Sequence, residues 1–87
     1  MIHKMFAIYD SKAEAYNTPF FFSTIGQATR AFTDEISNSR SQLHAHPEDY
    51  ALFELGSYDD SSATFDLLPA PKSLGLASEF VVRGQDA

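Results

Sequence analysis

Apolar residues alternate along several stretches of this chain and recur at helical spacing in one, and that contrast predicts most of its elements. From Ile2 to Tyr9 the chain reads IHKMFAIY, with Ile2, Lys4, Phe6 and Ile8 on one face and His3, Met5, Ala7 and Tyr9 on the other. Both faces are partly apolar, which predicts a central strand covered fully on one side and partly on the other. Asp10-Ser11-Lys12 breaks the pattern, and Ala13 to Thr18 reads as a loop or one helical turn. Pro19 introduces a short aromatic strand, Phe20-Phe21-Phe22-Ser23, where its missing N–H costs no ladder bond.

The clearest element follows. Thr24-Ile25-Gly26-Gln27 matches a capping box, in which a hydroxyl and an amide satisfy the first free backbone donors of a helix. Ile25, Ala28, Phe32 and Ile36 then fall at spacings that make one apolar stripe, with Ala31 beside it. Gln27, Arg30, Thr33, Asp34 and Ser37 take the opposite side, and the pattern predicts a helix over residues 25–37. Asn38 to His46 is polar and turn-prone, with Leu43 as its one apolar anchor.

After Pro47-Glu48-Asp49 a second alternating run begins at Tyr50. Ala51, Phe53 and Leu55 share the face expected to meet the core, and Tyr50, Leu52, Glu54 and Tyr58 share the other. Asp59-Asp60-Ser61-Ser62 is a turn, and Ala63 to Leu68 returns as the second arm of a hairpin. Pro69-Ala70-Pro71 forces an extended, donor-poor segment that opens a Pro-rich C-terminal tail. Leu74, Leu76, Phe80, Val81 and Val82 give that tail apolar weight for a short turn or strand. The tail is also placed to cover a sheet edge or reach a second subunit.

The order is β-β-α-β-β: an α+β fold in which one amphipathic helix packs on one face of a small antiparallel sheet. Residues 1–82 form one domain, with residues 83–87 as a frayed end. The 44% apolar content, with eight Phe and four Tyr, suffices for a small core. The absence of Cys excludes disulfides and thiolate metal sites, and it fits a reducing compartment. No run is long enough to span a membrane, and the N-terminus has no signal-peptide core, so the expected location is the cytoplasm.

Charge narrows the partners. Six basic residues against twelve acidic ones give a formal −6, which opposes long-range attraction to nucleic acid or anionic membranes. Of the chemical constellations, His44 and His46 with Glu48 and Asp49 invite a metal, but His at i and i+2 converge only from an extended strand and no third anchored ligand stands out. Asp59-Asp60-Ser61-Ser62 lacks the spacing of a calcium loop and is explained by turn chemistry. Neither a nucleophile elbow nor a phosphate loop nor a dinucleotide fingerprint is present. The expectation is a non-enzymatic chain with no catalytic residues, metal or cofactor. The remaining candidate is nucleic acid: Phe20-Phe21-Phe22 with Tyr9 and Tyr16 as a base-stacking platform, Tyr16 and Phe21 foremost, with Lys4, Lys12, Arg30, Arg40, Lys72 and Arg83 along the phosphates. Against it, three consecutive Phe in a strand must divide between its faces, and most Phe in small domains are core.

Three stretches together resemble a known family. Met5-Phe6-Ala7-Ile8-Tyr9-Asp10-Ser11-Lys12 with Ala15-Tyr16 and Pro19-Phe20 is the first, and His46-Pro47-Glu48-Asp49-Tyr50-Ala51-Leu52-Phe53-Glu54-Leu55-Gly56 is the most specific. The third is Leu68-Pro69-Ala70-Pro71-Lys72-Ser73-Leu74-Gly75 followed by Glu79-Phe80-Val81. In this order the chain resembles the small nonstructural protein of gokushoviruses, single-stranded DNA phages of the Microviridae, over residues 5–82. The resemblance implies a nonstructural role in the infected bacterial cytoplasm, in genome replication and the switch toward single-stranded DNA synthesis. It brings no catalytic residues or cofactors. The partners it suggests are single-stranded DNA and phage or host replication proteins. Small sheets leave edges that need covering, which adds a homo-oligomer, a dimer or higher. The competing reading is a homo-oligomeric interaction module for phage assembly or host takeover that never touches DNA.

Overall fold

The computed structural model describes residues 1–81 and contains an α+β arrangement of one antiparallel sheet and one principal helix. Val82, Arg83 and the frayed end expected over residues 83–87 lie outside the described residues. The strands are β1 (Ile2–Asp10), β2 (Ala15–Tyr16), β3 (Phe20–Phe22), β4 (Tyr50–Asp59) and β5 (Thr64–Leu76). Helix α1 (Ile25–Ser37) is followed by the single turn α2 (Gln42–Ala45), and 3-10 turns occupy Pro47–Asp49 and Ala77–Phe80. The sheet order is β2-β1-β4-β5, and β3 pairs β1 along the same side as β2. The strand Ala15–Tyr16, which pairs Tyr9↔Tyr16 and Asp10↔Ala15, is an addition to the expected order.

Helix α1 begins where the sequence pattern places it. The Gln27 N–H donates to Thr24 Oγ1 at 3.1 Å, and the Ser23 N–H donates to Gln27 Oε1 at 3.0 Å. The amide therefore reaches one residue further back than an ideal capping box, but two free donors are still satisfied. Replacing Thr24 with Ala is expected to cost about 1 kcal/mol in urea unfolding and to lower the melting midpoint by roughly 4–8 °C. An unchanged midpoint would show that the cap contributes nothing.

The stripe Ala28, Phe32 and Ile36 is buried against the sheet, while Ile25 at its N-terminal end stays exposed. Phe6, Leu52, Leu43 and Ala77 complete the core, with Ile8, Phe20, Phe22, Tyr50, Leu74 and Phe80 packed around it. Leu43 thus anchors the Asn38–His46 segment, as its isolation in a polar run predicts.

Two expectations about the second half of the chain are corrected. The core side of β4 is the Leu52 side: Leu52 is fully buried opposite Ile8, whereas Ala51 and Phe53 lie on the face away from α1. The strand also carries a bulge, because Met5 pairs Gly56 and the next residue, Phe6, pairs Glu54, leaving Leu55 unmatched. The second correction concerns Pro69-Ala70-Pro71, which is not a tail beyond the sheet. Strand β5 pairs β4 through Thr64–Leu67, bows out over Leu68–Pro71, and resumes pairing at Lys72↔Glu54. Proline lacks a ladder donor, so the bowed segment is where two prolines are tolerated in a strand. Of the apolar tail residues, Leu74 and Leu76 belong to β5, and Phe80 lies in the 3-10 turn Ala77–Phe80, set edge-on to Phe32 at 5.5 Å.

Candidate functional site

Helix α1 covers one face of the sheet, and the described residues place no helix on the other. The strand register defines what that second face presents. One cross-strand row runs Phe21, Met5, Gly56, Leu67, and the next runs His3, Tyr58, Phe65. Toward the opposite end lie Ala7 with Phe53, and Tyr9 with Tyr16 and Ala51. Met5, Ala7 and Ala51 are buried on this face, with Phe21, Phe53, Tyr9 and Tyr16 as their neighbours in the ladder.

The rings form two groups. Tyr9, Tyr16 and Phe53 pack at centroid separations of 4.8 to 6.2 Å. Phe21, Tyr58 and Phe65 form the second, with Phe21–Tyr58 at 6.2 Å and Tyr58–Phe65 at 4.8 Å. Tilted and edge-to-face contacts at these distances are favourable, so each group holds its shape before any partner arrives. The second group, with His3 and Ala63, lines an open cleft of about 520 Å³. Beside the cleft stands Leu67, 64% exposed, and Phe65 is 58% exposed.

This face is also nearly free of charge. Among the described residues, the strand positions on it include no Asp, Glu, Lys or Arg. The expected nucleic-acid cations are elsewhere. Lys4 and Lys72 lie on the helix side of the sheet and flank the buried Glu54. Lys4 Nζ is 3.8 Å from Glu54 Oε2, and Lys72 pairs directly across from Glu54. Arg30 is on the exposed side of α1, at a shallow groove with Phe22, Gln27 and Asp34. Arg40 sits in the turn before α2, where its N–H donates to Asn38 Oδ1 at 3.0 Å. Lys12 occupies the β1–β2 turn, its N–H held by Asp10 Oδ1 at 2.9 Å. Arg83 lies outside the described residues. The structure therefore gathers Tyr16 and Phe21 onto one face and leaves Lys4, Lys72, Arg30 and Arg40 off it; Lys12, in the turn joining the Tyr9 and Tyr16 strands, is nearest to the aromatic rings in the chain path.

Sequence reasoning named Tyr9 beside Tyr16 and Phe21 but overlooked Phe53, Tyr58, Phe65 and Leu67 as members of the same surface. The signal that could have found them is the alternation Ala51, Phe53 against Leu52, Glu54, read with a one-residue slip at Leu55.

The polar clusters are local structure. The Met1 α-amino group donates to Asp60 Oδ1 at 2.8 Å, and His3 Nε2 lies 2.8 Å from Asp60 Oδ2. Hydrogen bonds from the α-amino group and then from His3 hold the Asp60 carboxyl below its ordinary range. Asp59 is held down in the same sense by the Ser61 hydroxyl at 2.6 Å and the Ser61 N–H at 3.0 Å. Ser61 Oγ thus donates to Asp59 and not toward His3, and the group ties β1 to the β4–β5 turn. His46, Glu48 and Asp49 place ligand atoms within 4.8 Å of one another on the 3-10 turn after α2. His44 is turned away from them, its Nδ1 2.9 Å from the Ile36 carbonyl oxygen. On the helix side, burial together with the Asp10 and Asp49 carboxylates raises the Tyr50 phenol above its usual range, which keeps it protonated.

Fold and face together define a small α+β protein with an uncovered aromatic sheet surface among the described residues. A family model described as Phage ORF5 protein matches residues 3–80, and the chain belongs to that family. No curated protein and no solved structure matches it significantly. No helix among the described residues is long and apolar enough to cross a membrane.

Proposed function

We propose that this chain is a non-enzymatic accessory factor in genome replication of a gokushovirus-type single-stranded DNA phage, acting in the host bacterial cytoplasm by contact with the replication machinery. The observation that carries the mode of action is the open sheet face: six aromatic rings with no formal charge at any strand position, in a chain of net charge −6. Protein interfaces concentrate aromatics and exclude charge at their centres. A surface built to hold phosphates would instead bring cations beside the rings. The place in single-stranded DNA synthesis is supported by membership of a phage family together with the resemblance carried by the block from His46 to Gly56.

A second reading is favoured by one observation, the Tyr9, Tyr16 and Phe53 group next to the turn that carries Lys12. Such a group suits stacking of a few bases, worth about 1–3 kcal/mol each, with only a shallow dependence on salt.

A photo-crosslinking residue at Tyr16 in infected cells separates the two readings. Crosslinks to a phage or host replication protein are expected; crosslinks to single-stranded DNA alone would transfer the function to the second reading, and neither product would overturn both. Fluorescence anisotropy with a labelled oligonucleotide is expected to give a Kd weaker than about 100 µM near physiological salt, beyond ordinary non-specific DNA binding. The replication role has its own test, the ratio of single-stranded to duplex phage DNA in cells infected without this gene. A ratio equal to wild type would sink it.

A further inference from the structure

We propose that the outer half of the open face binds a second copy of this chain, each copy inserting Leu67 into the cleft lined by His3, Phe21, Tyr58, Ala63 and Phe65 of the other. The core residues of the sheet stop at the row of Phe22, and beyond it β1, β4 and β5 continue as a ledge that carries no member of the core. The molecule is elongated, 45 × 28 × 21 Å. A sheet uncovered by any helix at one end is the part of the fold that gains most from a partner.

Four observations select a second copy as that partner. First, knob and hole lie side by side on one surface. Leu67 stands 64% exposed, and the cleft of about 520 Å³ opens next to it. A two-fold axis between them lets each copy supply both halves, as a self-complementary interface requires. Second, the Leu67 row contains Gly56, which contributes no side chain, so nothing beside Leu67 on β4 shields it from an incoming surface. Third, two copies each of charge −6 repel one another unless acids in the contact are absent or paired; this face holds none at its strand positions, and Asp60, which touches the cleft residue His3, is paired with the Met1 α-amino group. Fourth, the competing route, pairing of the free β5 edges, is obstructed. Antiparallel pairing centred on Thr64–Leu68 would set Asp66 against its symmetry mate, and Pro69 and Pro71 end the available ladder. Face-to-face packing of two sheets about 10 Å apart avoids both problems.

Size sets the strength. Leu67, Phe65 and Phe21, exposed by 64%, 58% and 43%, contribute roughly 300 Å² per copy on the usual area of large side chains. Stable interfaces bury about 800 Å² per partner, so with Tyr58 and the rim added this is a dimer of the small, exchanging class. The Tyr9, Tyr16 and Phe53 group at the other end of the face stays outside the contact and available to a different partner.

Sedimentation of the purified chain from 10 µM to 1 mM, with folding of every variant verified by circular dichroism, tests this without reference to DNA or replication. Wild type is expected to pass from monomer to dimer over that range. Leu67→Asp on the knob and Ala63→Lys in the cleft are each expected to remain monomeric at 1 mM. Mixing these two variants is expected to restore a 1:1 dimer, because the introduced acid then faces the introduced base while the other knob and cleft are unaltered. Tyr16→Ser is expected to dimerise like wild type. A wild-type monomer at 1 mM, dimerisation of either single variant equal to wild type, failure of the mixture to re-associate, or loss of the dimer in Tyr16→Ser would each overturn the proposal. A failed replication phenotype would leave it standing, since the dimer is read on the isolated protein.

Discussion

Replacing Phe6 with Ala is expected to remove about 3–5 kcal/mol of unfolding free energy, a large share of the roughly 5–15 kcal/mol that holds a domain folded. Phe6 is completely buried at the centre of β1, stacked on Phe20 at 6.0 Å and tilted against Phe22 at 6.5 Å. Across the ladder it pairs with Glu54, and its ring belongs to the cluster that receives Ala28, Phe32 and Ile36 of α1. Truncation therefore opens a cavity where helix, both strand neighbours and a buried carboxylate converge, and none of these elements can collapse inward alone. At roughly 4–8 °C per kcal/mol for a domain of this length, the midpoint is expected to fall by about 12–40 °C. The neighbouring experiment gives the contrast: Phe21, on the open face and 43% exposed, should cost about 1 kcal/mol or less when cut to Ala. Urea unfolding followed by circular dichroism measures both. Equal losses at the two positions would mean that the face assignment of the Phe20–Phe22 strand is wrong.

That contrast also shows what the sequence could and could not reveal. Helix α1 was legible to the residue, because a 3.6-residue stripe and a capping pair at Thr24 and Gln27 point to the same start. The faces of β4 were not. Glu54 marks its side as solvent by ordinary logic, and alternation sends Leu52 outward with it; the structure instead keeps Glu54 at 8% exposure, near Lys4 and across from Lys72. A buried carboxylate with cationic neighbours reverses the pattern that hydropathy would impose. The bulge at Leu55 then shifts the phase, so that Gly56 and Tyr58 join Phe53 on one face. Alternation cannot register such a slip, since it is settled by the partner strand. The same limit hid half of the candidate surface. Tyr16 and Phe21 stood out as aromatics near the start of the chain, but Tyr58 and Phe65 meet Phe21 only through the β1–β4–β5 ladder. Residue type alone identifies a cation, and sequence carries no information on which side of the sheet Lys4 and Lys72 emerge once bulges intervene. The prolines misled for a related reason: a strand that bows out for four residues and then resumes looks, in one dimension, like a strand that ends.

Changing Gly56 to Ala tests the bulge that organises the open face, and its expected cost is about 3 kcal/mol. Gly56 has φ near +155°, and a Cβ built there would lie 2.3 Å from the Asp66 carbonyl oxygen and 2.8 Å from Leu67 Cα. Both are backbone atoms of the paired strand, so relief cannot come from a side-chain rotation. Either β4 abandons this φ or β5 moves away, and in both cases the pairing of Gly56 with Leu67 is lost. The damage should be uneven. Hydrogen exchange is expected to accelerate first at the amides of Thr64–Leu67 and Ser57–Asp59, the overhanging ledge and the two rows that join it to the core, while Phe6, Leu52 and α1 keep their protection until global unfolding. Leu67 and Phe65 would leave the positions that frame the cleft, so the variant should also lose self-association more completely than its stability loss alone predicts. A variant that melts within 1 kcal/mol of wild type and retains protection at Thr64–Leu67 would show that β5 does not lie against Gly56. The knob, the cleft and the uncharged face would then have to be placed on a different register.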